Sequence, residues 1–182
     1  MDSPFMQAFA EGLATRGLRA ARFEFPYMVE RRNTGKKMPP NRAPILMQTW
    51  HAVIDGLGPP ERLIIGGKSM GGRMASLVAD EAGVAGLVCL GYPFHAPGKP
   101  PGPNRLEHLA TLKTPTLICQ GTRDTLGTID EVSGYDLSPA IKVHWLEDGD
   151  HGLKPRKKSG RTEQQNWEEA LDTIANFAKQ FG

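Results

Sequence analysis

The chain has 182 residues, a mass of 19.9 kDa and a net charge of +2, which suits one domain spanning residues 1–182 and gives no electrostatic ground for nucleic-acid binding. Its longest apolar stretches, such as Ala85–Leu90 and Thr116–Cys119, are strand-sized, and Asp2 and Glu11 stand where a secretory signal would be basic and then apolar, so no membrane segment or export is expected. Cys89 and Cys119 lie in apolar runs with no CxxC pair or disulfide framework, which suits a reducing cytoplasm and gives no metal site.

Ser3-Pro4 reads as a helix start, with serine as N-cap and proline at the first helical position. Phe5, Phe9 and Leu13 follow at four-residue spacing and Gly17 stops a helix over 4–16. Leu18–Phe25 is rich in strand formers, so a strand is expected over 18–25. A polar, basic loop with Gly35, Pro39 and Pro40 then leads to a helix carrying Ile45, Leu46, Trp50, Val53, Ile54 and Leu57.

Residues 61–66 form a short predicted strand ending in GGKSMGG, and a helix runs from Met70 to Ala82, closed by Gly83. The alternation continues through strand 85–91, a loop over 93–104, a short helix near 105–112, strand 115–120, a short helix near 128–135, strand 141–147 and a final helix over 162–181. Strands apolar throughout and alternating with helices imply an α/β fold, a three-layer sandwich around a mostly parallel sheet.

Gly67-Lys68-Ser69-Met70-Gly71 falls between a predicted strand and a predicted helix. In that context it reads as a nucleophile elbow, a turn so tight that Gly67 and Gly71, with Gly66 and Gly72, keep side chains away from an exposed serine. The competing reading is a glycine-rich turn holding a phosphate at the helix N-terminus with help from Lys68; the P-loop spacing and GxGxxG are absent.

A serine hydroxyl needs a base, and the base needs a carboxylate to hold its tautomer. Asp124 follows strand 115–120 and His151 follows strand 141–147, both at the sheet edge where the elbow opens and in the order Ser, Asp, His. His51, His95, His108 and His144 fall in a helix, before Asp124 or within a strand. Among carboxylates Asp148 ranks second for the orienting role, Asp150 shapes the His151 turn, and Asp130 caps a helix.

GGKSMGGR at 66–73, QGTRD at 120–124 and DGDHGL at 148–153 resemble the α/β-hydrolase superfamily and its lidless, dienelactone-hydrolase-like branch. More closely the chain resembles small bacterial proteins that share an α/β-hydrolase-like domain with a subunit of the non-specific lethal chromatin complex. The resemblance runs from about residue 2 to residue 181. It implies Ser69, Asp124 and His151 as catalytic residues, the backbone N–H of Met70 as an oxyanion donor, and no cap domain. It also implies a central strand and a His-Gly-type turn ahead of the first helix. Either the gene product extends upstream, or Ser3 and its neighbours take over part of the oxyanion role. Strand 61–66 is then expected to pair with strand 18–25 or to receive a strand from elsewhere.

No cofactor motif is present, so the expected reaction is hydrolysis of an ester or related acyl bond of a small soluble substrate. The loop 93–104, with Pro93, Pro97, Pro100, Pro101 and Pro103, is too short and proline-rich for a lid. Residues 29–42 hold five cations against one acid and 153–161 hold five against none. Both segments rim the predicted cleft, which would favour anionic substrates through Lys68, Arg31 and Lys154, or they are solvated loops. The contrasting reading is a non-catalytic module that binds an acidic partner on a hydrolase scaffold.

Overall fold

A computed structural model describes residues 3–100 and 102–182; Asp2 and Pro101, both used above, lie outside them. Ser3 accepts the Met6 N–H at 3.3 Å as N-cap of helix α1 (Pro4–Thr15). Helices α2 (Pro26–Thr34) and α3 (Ala43–Leu57) follow, then strand β1 (Ile64–Lys68), helix α4 (Met70–Ala82) and strand β2 (Gly86–Leu90). Helix α5 (Pro103–Thr111), strand β3 (Thr116–Gly121), the short α6 (Ile129–Val132), strand β4 (Ile141–Leu146) and helix α7 (Glu163–Ala178) complete the order.

The four strands form a parallel sheet in the order β1-β2-β3-β4. Successive side chains of a strand point to opposite faces, and the apolar residues divide accordingly. Leu87 and Cys89 of β2 and Ile118 of β3 join Trp50 and Ile54 of α3 and Met74 and Val78 of α4 in one buried cluster. Val88 and Leu90 of β2 and Leu117 and Cys119 of β3 join Phe5 and Phe9 of α1 and Leu171, Ile174 and Phe177 of α7 in another. The sheet is thus covered on both faces. This is why β2 and β3 are buried at every position and read in the sequence as unbroken apolar runs. Among the described residues no helix is long and apolar enough to cross a membrane.

Two expectations are corrected. Residues 18–25 form no strand: they have no regular secondary structure and pair with none of the four strands. Their aromatic rings bury against a helix and one another: Phe23 meets Trp50 of α3 edge-on at 4.7 Å and Phe25 at 5.4 Å. Among the described residues β1 therefore pairs with β2 alone. The supposed loop after residue 25 begins as helix α2, with Pro26 in its first turn and Gly35 as a left-handed C-cap at φ 68°. Arg31 and Arg32 sit in its last turn, where cations complement the helix dipole.

His108 of α5 ties that helix to the rest of this layer, its Nε2 lying 2.9 Å from the Ser76 hydroxyl of α4 and 3.4 Å from the Tyr92 hydroxyl. Burial, helped by the Arg73 charge, pushes its pKa down to about 4. An unfolded histidine titrates near ~6.5, so between these values the unfolded chain binds the additional proton. Stability is therefore expected to fall as pH drops from about 6.5 toward 4 and to lose this dependence below. Thermal melts of the parent and of His108→Gln across that window should show a shallower decline in the variant.

Candidate active site

Ser69 is the single residue between the end of β1 and the start of α4, and its backbone is held at φ 52°, ψ −121°. A non-glycine residue in this region is strained and persists only where its surroundings fix it. Here Ser69 N–H donates to Leu90 O of β2 at 2.9 Å, and Arg73 N–H donates to Ser69 O at 3.0 Å.

The glycines around it are unequal. A Cβ on Gly72 would lie 2.6 Å from Gly67 O, and one on Gly67 would lie 2.9 Å from the Gly71 carbonyl carbon and Gly72 N. A Cβ on Gly71 meets nothing within 4 Å. The tight turn thus accounts for Gly67 and Gly72 but not for Gly71. Gly71→Ala should melt at or above the parent temperature, because alanine is favoured over glycine in a helix by up to ~1 kcal/mol. Gly72→Ala, forced against backbone, should melt several degrees lower, consistent with overpacking at roughly 1–3 kcal/mol. Equal melts for the two variants would contradict this account of the turn.

Asp124 closes the turn after β3 and is fully buried. Its Oδ1 accepts the Leu126 N–H at 2.9 Å, and its Oδ2 accepts Gln120 Nε2–H at 2.8 Å and the ring Nδ1–H of His151 at 2.8 Å. The opposite ring nitrogen, Nε2, lies 2.9 Å from Ser69 Oγ. With Nδ1–H donated to the carboxylate, Nε2 is left to accept the serine proton. The structure thus brings Ser69, His151 and Asp124 into one hydrogen-bonded row running from half-buried to fully buried.

The His151 turn is shaped by Asp150, whose Oδ1 accepts Gly152 N–H at 2.7 Å and Lys154 N–H at 3.0 Å. Gly91, at φ 63°, lies beneath it: a Cβ there would come within 2.8 Å of His151 O. Met70 opens α4, so its backbone N–H is one of those that helix geometry leaves without an intrahelical acceptor.

Gln120 is a residue that the sequence reading passed over. It is fully buried, and besides orienting Asp124 its amide accepts Tyr92 N–H at 2.7 Å and donates to Tyr92 O at 3.2 Å and Gly127 O at 3.3 Å. The available signal was a carboxamide at the end of an otherwise apolar strand, four residues before the aspartate.

The competing residues lie elsewhere. Asp148, ranked second for orienting the base, turns to Arg156 and Arg123 instead. The Arg156 guanidinium, above all other influences, holds its pKa down at about 2. The cap of α6 is Thr128 with Glu131 rather than Asp130. His144 lies 3.0 Å from Glu169, and His95 Nδ1 lies 3.0 Å from Ala96 O.

The three cations suggested for substrate all have partners within the fold. Lys68 Nζ donates to His151 O at 2.8 Å and lies 4.8 Å from the centre of the Phe5 ring. Arg31 Nε donates to Met38 O at 2.6 Å, with its guanidinium over Tyr27, and Lys154 Nζ lies 3.5 Å from Glu163. Arg156 and Arg161 pair with Asp148 and Glu169. Carboxylates eight or nine residues away in sequence thus offset Lys154, Arg156 and Arg161 of the 153–161 segment. Among the described residues no group of three or more His, Cys, Asp or Glu side chains could hold a metal ion.

A parallel sheet covered on both faces, with a strained serine between a strand and the helix that follows it, defines the class of α/β hydrolases. The chain belongs to that family: the alpha/beta hydrolase domain profile matches residues 1–179, which makes it an enzyme of the hydrolase class. Similar solved structures include the esterase domain of a Rhodothermus marinus protein, at 15% identity and a TM-score of 0.67, covering 98% of this chain and 80% of that one. An alpha-beta serine hydrolase homologue from Coxiella burnetii is similar at 20% identity and a TM-score of 0.67, covering 96% of this chain and 77% of that one. At these identities the likeness is one of fold. Among proteins of curated function no significant match is found.

Proposed function

We propose that this chain is a cytoplasmic serine hydrolase that cleaves small soluble esters through an acyl-enzyme. The observation that carries the reading is the unbroken row from Ser69 Oγ through His151 to Asp124, with both links under 3.0 Å. Ser69 Oγ attacks the acyl carbon while its proton passes to His151 Nε2, and Asp124 stabilises the imidazolium that forms. The imidazolium then protonates the leaving alkoxide. A water, deprotonated by the same nitrogen, attacks the acyl carbon, releases the acid and returns the proton to Ser69. The Met70 N–H is the proposed donor to the oxyanion. Ser3, suggested as a local substitute for a second donor, spends its hydroxyl oxygen capping α1.

Esters are preferred to other acyl compounds because the reading rests on a dienelactone-hydrolase-like, lidless site. Between β2 and α5 the described residues hold no helix, and a site without a helical lid suits short acyl groups better than long lipid chains. The esterase domain among the similar structures points the same way. Because the suggested cations are partnered, neutral esters are placed ahead of anionic ones.

A series of p-nitrophenyl esters of increasing acyl length tests the reading. Acetate and butyrate should turn over with saturation kinetics, and kcat/KM should fall for acyl chains beyond about eight carbons. A folded chain inert toward the whole series and toward small thioesters and lactones would overturn it.

A further inference from the structure

Lys68 occupies an unusual place for a lysine. It is the last residue of β1, directly before Ser69, and it is half-buried, with its ammonium against the Phe5 ring and its Nζ–H donated to the backbone carbonyl of His151 at 2.8 Å. Desolvation lowers its pKa, and the charges of Asp124 and Asp150 act in the opposite direction. A buried ammonium is unfavourable unless its charge and donors are matched, and an apolar side chain of the same length would pack on Phe5 without that penalty.

What the ammonium adds is a bond between the two moving parts of the reaction. The turn that carries the base is tethered to the residue beside the nucleophile, while Gly91 packs under the same carbonyl from β2's end. Resting on the hydrolytic reading above, we infer that Lys68 is a positioning residue: its ammonium clamps the His151 carbonyl and so fixes the distance between Nε2 and Ser69 Oγ. This replaces the earlier suggestion that Lys68 binds substrate.

The two roles separate in kinetics. A clamp acts on the reacting geometry, so Lys68→Met should lower kcat and the rate of fluorophosphonate labelling by about 10- to 100-fold, the scale of a misplacement of about 1 Å, with KM within about threefold of the parent. The downfield proton resonance of the His151 Nδ1–H to Asp124 bond should broaden in Lys68→Met while the melting temperature is maintained or raised. Lys68→Arg, which keeps a charged donor, should stay within about tenfold of the parent, and it decides the matter if Lys68→Met does not fold.

A parent chain that fails to label removes the hydrolytic reading and this inference together. If the parent labels, three outcomes would each overturn the clamp alone: Lys68→Met labelling at the parent rate, a raised KM with kcat retained, or Lys68→Arg as impaired as an inert chain.

Discussion

Ser69→Ala should lose ester hydrolysis by about four orders of magnitude or more, since the members of such a hydrogen-bonded row act as a unit and removing the nucleophile leaves only binding and oxyanion effects. The fold should not notice. The serine side chain touches the site through its bond to His151 Nε2, whereas its backbone is held by Leu90 O and by the Arg73 N–H, which alanine retains. Circular dichroism and a melt within about three degrees of the parent, alongside the activity loss, would place the effect in chemistry. A destabilised variant would show instead that the hydroxyl is structural.

Asp124→Asn should be nearly as damaging, by about three to four orders of magnitude in kcat, because the amide cannot satisfy its surroundings in either orientation. If its oxygen keeps the Leu126 N–H, its NH2 replaces Oδ2 and faces two donors, Gln120 Nε2–H and His151 Nδ1–H. The imidazole then avoids the conflict by carrying its proton on Nε2, where it can no longer accept from Ser69. If the amide is turned over, its NH2 opposes the Leu126 N–H, a donor left unsatisfied in a buried site at about 1–3 kcal/mol. The control is Asp148→Asn, whose carboxylate serves Arg156 and Arg123. Its rate should remain within a few-fold of the parent. Comparable losses in the two variants would reopen the assignment of the orienting carboxylate.

The sheet was legible where the physics was local. β2 and β3 are covered on both faces, so their sequences are apolar without alternation, and Gly83 and Pro4 mark helix ends through their own backbone preferences. Residues 18–25 carry the same kind of apolar signal as a strand, but composition reports burial and not the partner. Phe23 packs on Trp50 of α3, and Phe25 packs on Phe23. The helix α2 was hidden by its charges, although Pro26 and Gly35 bracket it.

At the site, Ser69, Asp124 and His151 could be singled out because each follows a strand end, and parallel strands place their ends on one edge. The auxiliary contacts could not. That Gln120 reaches across to Tyr92, or that Lys68 turns back onto the His151 carbonyl, depends on pairings of loops far apart in sequence. The pairing of the basic segment 153–161 was not legible either: Asp148, Glu163 and Glu169 lie only eight or nine residues from the cations they meet, but the fold of the intervening turns decides which of them face each other.

The most direct test of the central claim is to treat the folded chain with a fluorophosphonate and locate the adduct by mass spectrometry of its peptides. Location matters because a second serine, Ser76, lies 2.9 Å from His108, yet it is only 3% exposed and should be shielded. The account predicts one adduct, on Ser69, formed at a rate that collapses in Asp124→Asn. No adduct on a folded chain, or an adduct on Ser76 with Ser69 unmodified, would contradict it.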